Sequence, residues 1–402
     1  MNPRRSGRDV GDESATLQRA LFVQGSLQPP GGGNGVAVRM IEALRQRYAV
    51  DVLTWHRVDL AEVNRFYGTS LRPADFTWHA VPVALRRLID PLPLPLGLLK
   101  RSILLRICKR IADRYDVVAT ADNEADFGRR GIQYVHFPWA YQPRPADDLH
   151  WYHGSRVVVD LYYRLCALIT DFSFDRMRQN VTLVNSEWTG EKVRQRHGIE
   201  SETLYPPISN DFDPIPWVDR EDGFVCMGRI APEKGLDTLI DIVAAVRAQG
   251  RDVHLHLIGT AQDAAYYRRI RKRVDASEGW VLLEENLSRE ELVRLVSRHR
   301  YGLHGMTEEH FGMAVAEMVR AGCIVFIPRG GGQTEIVGSE PALLYASVED
   351  AVAKIIATLG SGDLQAHLRE HLAARAACFS TARFTRRLHE LVQQMDPRSG
   401  LR

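Results

Sequence analysis

The stretch Phe224-Val-Cys-Met-Gly-Arg-Ile-Ala-Pro-Glu-Lys-Gly-Leu-Asp237 decides the fold class of this 402-residue chain. Its first four residues are apolar and predict a buried strand, the proline-containing segment predicts a loop, and the residues from Gly235 predict a helix. Arg229 and Lys234 flank this loop at the carboxyl end of the strand, where open α/β sheets bind ligands. A planar guanidinium and a point-like ammonium suit a diphosphate. The alternative, two ordinary surface charges at a loop, stays open.

A second motif, Glu309-His-Phe-Gly-Met-Ala-Val-Ala-Glu317, follows the apolar run Tyr301–Met306. It predicts a strand, a tight turn and a helix that starts at Phe311, whose unpaired backbone N–H groups attract phosphate. Glu309 stands at the mouth of that helix and Glu317 lies about two turns further on. At roughly 100° per residue the two carboxylates are about 80° apart, so both can border one cleft. The alternative is an ordinary helix with an acidic first turn and a solvent-facing glutamate.

Together these motifs resemble the signature of glycosyltransferase family 4, and the resemblance extends from about residue 19 to residue 395. Members of that family are retaining, nucleotide-sugar-dependent enzymes. The resemblance therefore implies an α/β protein of GT-B fold, with two Rossmann-like domains facing across a cleft. Three shorter strings are also similar to the α-1,2-mannosyltransferases that extend lipid-linked oligosaccharide: Tyr134-Val-His-Phe-Pro138, Val184-Asn-Ser-Glu-Trp-Thr189 and Tyr205-Pro-Pro207.

The resemblance implies one set of catalytic residues and a second set that binds the donor. The cations would neutralise the departing diphosphate, Glu317 would bind the ribose hydroxyls, and Glu309 with the amides near Phe311 would orient the sugar. The catalytic set is Glu309, Arg229, Lys234 and His136. The donor-binding set is Glu317, Phe311, Gly312, Met313, Gly32, Gly33, Gly259 and Glu335.

The glycine-rich segment Gly31-Gly-Gly-Asn-Gly35 lies between the first predicted strand, Ala20–Val23, and a predicted helix over Val36–Arg47. Glycines allow a ligand to approach the backbone closely, and the helix end favours negative charge. The segment lacks the dinucleotide pattern G-x-G-x-x-G, so NAD binding is the weaker inference. A flexible turn without a ligand is the alternative. The resemblance places this segment in the cleft, facing donor phosphates or acceptor.

His136 ends a predicted strand, where a polar residue can contact a sugar, although a lone histidine is more often structural. The resemblance implies that it positions the transferred sugar and stabilises charge. Asp211-Phe-Asp213 superficially matches the Asp-x-Asp metal motif of another glycosyltransferase class but lies among prolines in the predicted linker. The five cysteines are widely spaced, and no CxxC or His/Cys cluster argues for a zinc site. We expect no metal and no other cofactor, because the two cations and the helix end neutralise the diphosphate.

Length and pattern predict two domains in alternating α/β order. The predicted boundaries are a disordered tail over 1–16, an acceptor domain over 17–207, a linker over 208–222, a nucleotide-sugar domain over 223–380, and a helix over 381–402 that crosses back to the first domain. The chain has 45% hydrophobic and 25% charged residues and a net charge of +2, which indicates an ordinary globular protein with no general affinity for nucleic acid. No secretory signal or 18-residue apolar run is visible, so we expect a cytoplasmic protein.

The segment Leu92–Arg114 is both apolar and basic. On a helical wheel the basic side chains share one arc and the apolar side chains lie roughly opposite. The basic set is Arg106, Lys109, Arg110 and Arg114, and the apolar set is Leu104, Leu105, Cys108 and Ile111. Such a helix suits peripheral contact with the inner face of an anionic membrane. The alternative is a domain helix whose apolar side packs on the sheet.

The sequence thus predicts a retaining glycosyltransferase that moves a hexose, with mannose favoured, from a nucleotide-diphosphate sugar. The acceptor is a glycan, a lipid-linked molecule or a small molecule. Two alternatives stay open: a non-catalytic relative that binds nucleotide or glycan, and a sugar-nucleotide epimerase or phosphorylase on the same fold.

Overall fold

A computed structural model describes residues 17–29, 31–92, 96–138 and 156–395. The predicted tail over 1–16 lies outside the described residues, as do residues 93–95 of the predicted membrane segment and residues 396–402 of the predicted last helix. The described residues form two parallel sheets covered by helices, in the GT-B arrangement of two Rossmann-like domains.

The first sheet has seven parallel strands in the order β3-β2-β1-β4-β5-β6-β7. Successive residues of its central strand face opposite sides: Ala20 and Phe22 belong to one buried cluster, and Leu21 and Val23 to another. Both faces are therefore covered, as a parallel sheet requires. The strands are β1 Arg19–Gln24, β2 Ala49–Thr54, β3 Phe76–Ala80, β4 Val117–Thr120, β5 Ile132–Val135, β6 Val181–Val184 and β7 Glu202–Thr203; the helices are α1 Gly32–Leu44, α2 Leu60–Tyr67, α3 Val83–Ile89, α4 Gly97–Ile111, α5 Arg156–Thr170, α6 Phe174–Arg178 and α7 Glu187–His197.

The second sheet has six parallel strands in the order β10-β9-β8-β11-β12-β13. Its strand order changes direction at β8, so the loops that leave β8 and β11 diverge and open a crevice at their carboxyl ends. The strands are β8 Glu221–Met227, β9 His254–Ile258, β10 Val281–Glu284, β11 His299–Leu303, β12 Ile324–Pro328 and β13 Leu344–Tyr345; the helices are α8 Leu236–Ala248, α9 Ala264–Asp275, α10 Arg289–Arg298, α11 Met313–Arg320, α12 Gln333–Ile336, α13 Val348–Leu359, α14 Gly362–Ala376 and α15 Thr381–Met395.

Two helices that border the cleft start at different residues from those predicted. Helix α1 begins at Gly32, four residues before the predicted Val36, so the glycine-rich segment is its first turn and not a loop. The prediction was wrong because it placed the helix start at the first periodic apolar residue. Helix α11 begins at Met313 instead of Phe311, because Gly312 adopts a positive φ of 100° and ends the turn before it.

The predicted last helix is α15, which ends the described residues and follows α14. Helix α15 packs on α1 of the first domain, where Phe384 and Leu388 are buried. His389 Nε2 lies 2.7 Å from the carbonyl oxygen of Ala43 and ties the two helices together. The described residues of the second domain are therefore followed by a helix that completes the core of the first.

Helix α4 packs its apolar side on the first sheet. Leu104, Leu105 and Cys108, three of the apolar side chains considered for membrane contact, are 1%, 3% and 0% exposed. Arg106 and Arg110 remain exposed to solvent. Among the described residues no helix combines the length and the hydrophobicity that a bilayer crossing needs.

Candidate active site

A small pocket lies where β8, β9 and β11 end. Its position follows from the fold, since the loops after these parallel strands meet at one edge of the sheet. The loop after β8 is a single 3-10 turn, Pro232–Lys234, followed by Gly235 in the left-handed conformation. The pocket is lined by Cys226, Met227, Gly228, Arg229, Ile230, Lys234, Leu236, Leu257, Ile258 and His304.

Lys234 and Glu309 form an ion pair beside this pocket. The ammonium lies 2.5 Å from Glu309 Oε2 and 3.3 Å from the Sδ atom of Met306. The two charged side chains are only 12% and 20% exposed. The structure thus brings together two residues that the sequence places 75 positions apart, and both were predicted to be catalytic.

The carboxylate of Glu309 is held in its ionised form. Burial alone would raise its pKa, but the contact with His304 and the charge of Lys234 outweigh burial and hold the pKa well below its usual range. The side chain of Lys234 therefore lines the pocket with Glu309 as its counter-ion.

His304 was not among the predicted site residues. It follows β11 directly, and its Nε2 lies 3.3 Å from Glu309 Oε2. Its buried Nδ1 has no hydrogen-bond partner among the described residues. Burial lowers the pKa of His304, and the contact with Glu309 opposes that shift. The sequence contained a signal for His304, because it is a polar residue directly after a buried strand, which is the pattern that identified His136.

Arg229 and Gly259 occupy the rim of the pocket. The Arg229 guanidinium is half exposed and contacts Glu233 at 3.1 Å and Gln262 at 2.7 Å. At Gly259 a Cβ atom would lie 1.7 Å from the carbonyl oxygen of Gly228, so a side chain there is sterically excluded. Arg229 therefore has exposed partners at the rim, whereas Gly259 keeps the ends of β8 and β9 close together.

Glu317 is buried in a different network from Glu309. Its Oε1 accepts a hydrogen bond of 2.6 Å from Arg289, which also binds both carboxylate oxygens of Asp211 at 2.9 Å. Burial raises the pKa of Glu317, against the opposing charge of Arg289. The carboxylate of Asp211, considered for metal binding, is thus engaged by an arginine.

The first domain faces this site with the start of α1. A Cβ atom at Gly32 would lie 3.1 Å from Met313 Cγ of α11, so the two domains touch there. A Cβ atom at Gly33 would lie 3.1 Å from His136 Nε2, which contacts the Ala121 carbonyl oxygen at 3.0 Å. Burial lowers the pKa of His136 to about 4, so its imidazole is neutral. The glycines allow a close fit between α1, His136 and α11.

Glu335 and His310 of the second domain contact the first domain. Glu335 accepts hydrogen bonds of 2.9 Å from the backbone N–H groups of Glu187 and Trp188, and one of 3.0 Å from the Tyr205 hydroxyl. The His310 ring stacks on Phe137, with 4.3 Å between centroids. Glu335, predicted to bind the donor, therefore makes interdomain contacts; its donor role stays a prediction.

The part of the chain that forms this pocket also matches a known protein family. Residues 208–376 match the family described as "Glycosyl transferases group 1". The matched segment contains Arg229, Lys234, Glu309 and Glu317, whereas His136 and the α1 glycines lie outside it.

The chain is also similar to curated proteins named GDP-Man:Man(3)GlcNAc(2)-PP-Dol alpha-1,2-mannosyltransferase. The Dictyostelium discoideum protein is 27% identical over 220 residues, covering 49% of this chain and 43% of its own. The human protein is 28% identical over 247 residues, covering 56% of this chain and 49% of its own. The chain spans about half the length of the curated relatives that it matches.

Solved structures resemble both domains together. The Anabaena protein HepE in complex with UDP and glucose has a TM-score of 0.65 at 16% identity, and covers 93% of this chain and 99% of its own. WaaG, a glycosyltransferase involved in lipopolysaccharide biosynthesis, has a TM-score of 0.64 at 14% identity, and covers 93% of this chain and 99% of its own. At these identities the likeness describes the fold.

Proposed function

We propose that this protein is a retaining glycosyltransferase of family 4 that transfers a hexose from a nucleotide-diphosphate sugar. The observation that carries the proposal is the buried Lys234–Glu309 pair beside His304, in a pocket at the carboxyl ends of parallel strands. It lies within the glycosyl transferases group 1 segment.

In this proposal the diphosphate of the donor binds between Lys234, Arg229 and the start of α11. No side chain of the described residues caps α11, so its first backbone N–H groups are available to an anion. As the bond to the sugar breaks, negative charge grows on the leaving phosphate, and preorganised cations stabilise that charge. These groups supply the neutralisation, and we expect the enzyme to work without a metal ion.

Glu309 orients the transferred sugar. Because its pKa is held low, the carboxylate accepts hydrogen bonds from sugar hydroxyls and does not serve as a proton donor at neutral pH. Glu317 binds the ribose hydroxyls through the oxygen that Arg289 leaves open. The acceptor hydroxyl attacks from the face of the departing phosphate, which takes up its proton.

Mannose, supplied as GDP-mannose, is the proposed donor sugar, and a glycan or lipid-linked glycan is the proposed acceptor. The similarity to the mannosyltransferases of Dictyostelium and human supports this choice. The solved structure with UDP and glucose makes a UDP-hexose the main competing donor.

We further propose that the first domain contacts a membrane that carries the acceptor. The apolar side of α4 is buried, which leaves its exposed arginines for an electrostatic contact. Helix α5, which packs beside α4, supplies an apolar stripe at helical spacing. Its exposed members are Val157, Leu161, Leu165 and Leu168.

A nucleotide screen tests the proposal. Thermal unfolding is followed with GDP, UDP, ADP, dTDP and their sugars, in EDTA and then with Mg²⁺. A ligand at a hundred times its dissociation constant adds about 2.7 kcal/mol of stability. We expect one nucleotide family to stabilise the protein equally well in EDTA. A shift that needs Mg²⁺ would contradict the metal-independent site.

Acceptor dependence separates the enzyme from its alternatives. We expect the stabilising nucleotide sugar to be consumed only when a glycan acceptor is present, with retention of anomeric configuration observed by NMR. An epimerase needs no acceptor, a phosphorylase uses free phosphate, and a non-catalytic relative consumes no donor. Any of these three outcomes would refute the proposed function.

A further inference from the structure

A group of histidines that the proposed function does not use lies where the strands of the second sheet begin, at the end opposite the pocket. His254 begins β9, His256 lies two residues further on the same face, and His299 begins β11. One ring nitrogen from each lies within 4.8 Å of the others. Among the described residues, this histidine cluster is a group whose ligand atoms lie close enough together to hold a metal ion. The sequence carries no signal of the cluster, because His254 and His299 are 45 positions apart.

Hydrogen bonds fix the tautomers of two members of the cluster. His256 Nδ1 lies 2.9 Å from Glu284 Oε1, and His299 Nδ1 lies 2.7 Å from the carbonyl oxygen of Leu295. Because these oxygens only accept, both Nδ1 atoms carry the proton and both Nε2 atoms offer a lone pair. Metal-ligating histidines are held in this way, by a carboxylate or a backbone carbonyl on the second ring nitrogen.

The remaining contacts bring a third nitrogen and a carboxylate to the same point. His254 Nε2 lies 2.9 Å from His299 Nε2. Glu221 Oε2 lies 3.6 Å from His254 Nε2 and 3.8 Å from His299 Nε2. Tetrahedral ligands at zinc bond lengths of about 2.0–2.1 Å are roughly 3.4 Å apart, close to the separations among His254, His299 and Glu221. The three histidines, whose ligand atoms lie within 4.8 Å of one another, need only close around the ion.

The backbone leaves room for this arrangement at Gly223. Gly223 lies on β8, in register with His254 of the neighbouring strand β9. A Cβ atom there would lie only 2.2 Å from His254 Nε2, so any side chain would displace the imidazole.

We propose that the histidine cluster binds one Zn²⁺ ion, with Glu221 as the fourth ligand. Three imidazoles and one carboxylate are a ligand set that zinc accepts. The ion would tie together the starts of β8, β9 and β11, about 20 Å from the donor pocket at roughly 3.3 Å per residue of β8. The site is structural and independent of the proposed transfer reaction.

Zinc competition with a chromophoric chelator tests the proposal on tag-free, EDTA-treated protein. We expect one equivalent of Zn²⁺ to bind, and Co²⁺ to give the visible absorption of a tetrahedral site. His254→Ala and Gly223→Ala should each weaken binding at least 10-fold, by analogy with the loss of metal-site support. His367→Ala, at an exposed histidine on α14, is the matched control and should bind as the parent does.

The outcomes are distinguishable. Unfolding curves recorded in EDTA establish that each variant is folded before its affinity is compared. The proposal is overturned if the parent protein takes up no zinc, or if both His254→Ala and Gly223→Ala bind it as tightly as His367→Ala does. Since the test reads metal binding directly, it stands whether or not the transfer reaction is found.

Discussion

Replacing Lys234 with methionine, which has similar length but no charge, separates its effect on stability from its effect on catalysis. In the parent protein the ammonium neutralises Glu309 at 2.5 Å, with side chains 12% and 20% exposed. Removing one partner of a buried ion pair costs about 3–5 kcal/mol, and the residual exposure favours the lower end. For a domain of this size, 3 kcal/mol corresponds to a fall in Tm of roughly 6–12 °C.

The double variant Lys234→Met/Glu309→Gln shows whether a loss of turnover comes from lost stability or from the lost cation. It removes both charges, so we expect its Tm to return to within a few degrees of the parent. Turnover should nevertheless fall by about 100- to 1,000-fold in both variants, because the cation that stabilises the leaving diphosphate is absent from both. Turnover is measured as nucleotide release with the donor found in the screen. Parental turnover in either variant would refute the role of Lys234.

The effect of Lys234→Met on stability should also depend on pH. Glu309 has a lowered pKa in the folded protein, so its contribution to stability is present above the unfolded value near 4.5 and is lost as pH falls through the folded value. Without Lys234 that pKa rises, and Glu309 becomes protonated at higher pH. We expect the Tm difference between Lys234→Met and the parent to shrink below about pH 4.5. A constant difference from pH 7 to 3.5 would argue that the ion pair does not set the stability of this site.

Three further changes probe the remaining features. Gly33→Ala should lower turnover, because its Cβ would press on the His136 ring at 3.1 Å, whereas Gly97→Ala, at another helix start with open space around it, should not. Glu335→Ala should destabilise the protein by about 1 kcal/mol or more, since it removes the acceptor of two backbone N–H groups in the first turn of α7. An unchanged Tm would show that these interdomain hydrogen bonds do not stabilise the protein. Leu161→Glu should reduce sedimentation with anionic liposomes, and Val218→Glu, at an equally exposed valine in the second domain, is its control.

Several elements were predictable because their signals are local. The alternation of apolar runs and helical patterns predicted the two parallel sheets. The edge strands β3 and β7 were missed. The first includes Thr77 and His79 among its five residues and the second has only two residues, so neither offers the buried apolar run that marked the other strands.

The features that were not predictable depend on distant contacts. The break between α14 and α15 has no proline or glycine to mark it; Phe379 turns inward there against Tyr205 and Phe311. The partners of Glu317 and Glu335 come from segments far away in the sequence, so the sequence could nominate these carboxylates but not what they bind. The early start of α1 has the same cause, since the space that its glycines leave is filled by Met313 and His136.

The packing of α15 on α1 has a consequence for the order in which the protein is made. Phe384, Leu388 and Val392 fill part of the core around Phe22 and Val36. During synthesis the first domain leaves the ribosome long before these residues exist, and domains generally fold as units in that order. The apolar surface of α1 that α15 covers therefore stays exposed until the whole second domain has been translated. Chaperone binding to nascent chains should thus persist on the first domain until α15 emerges.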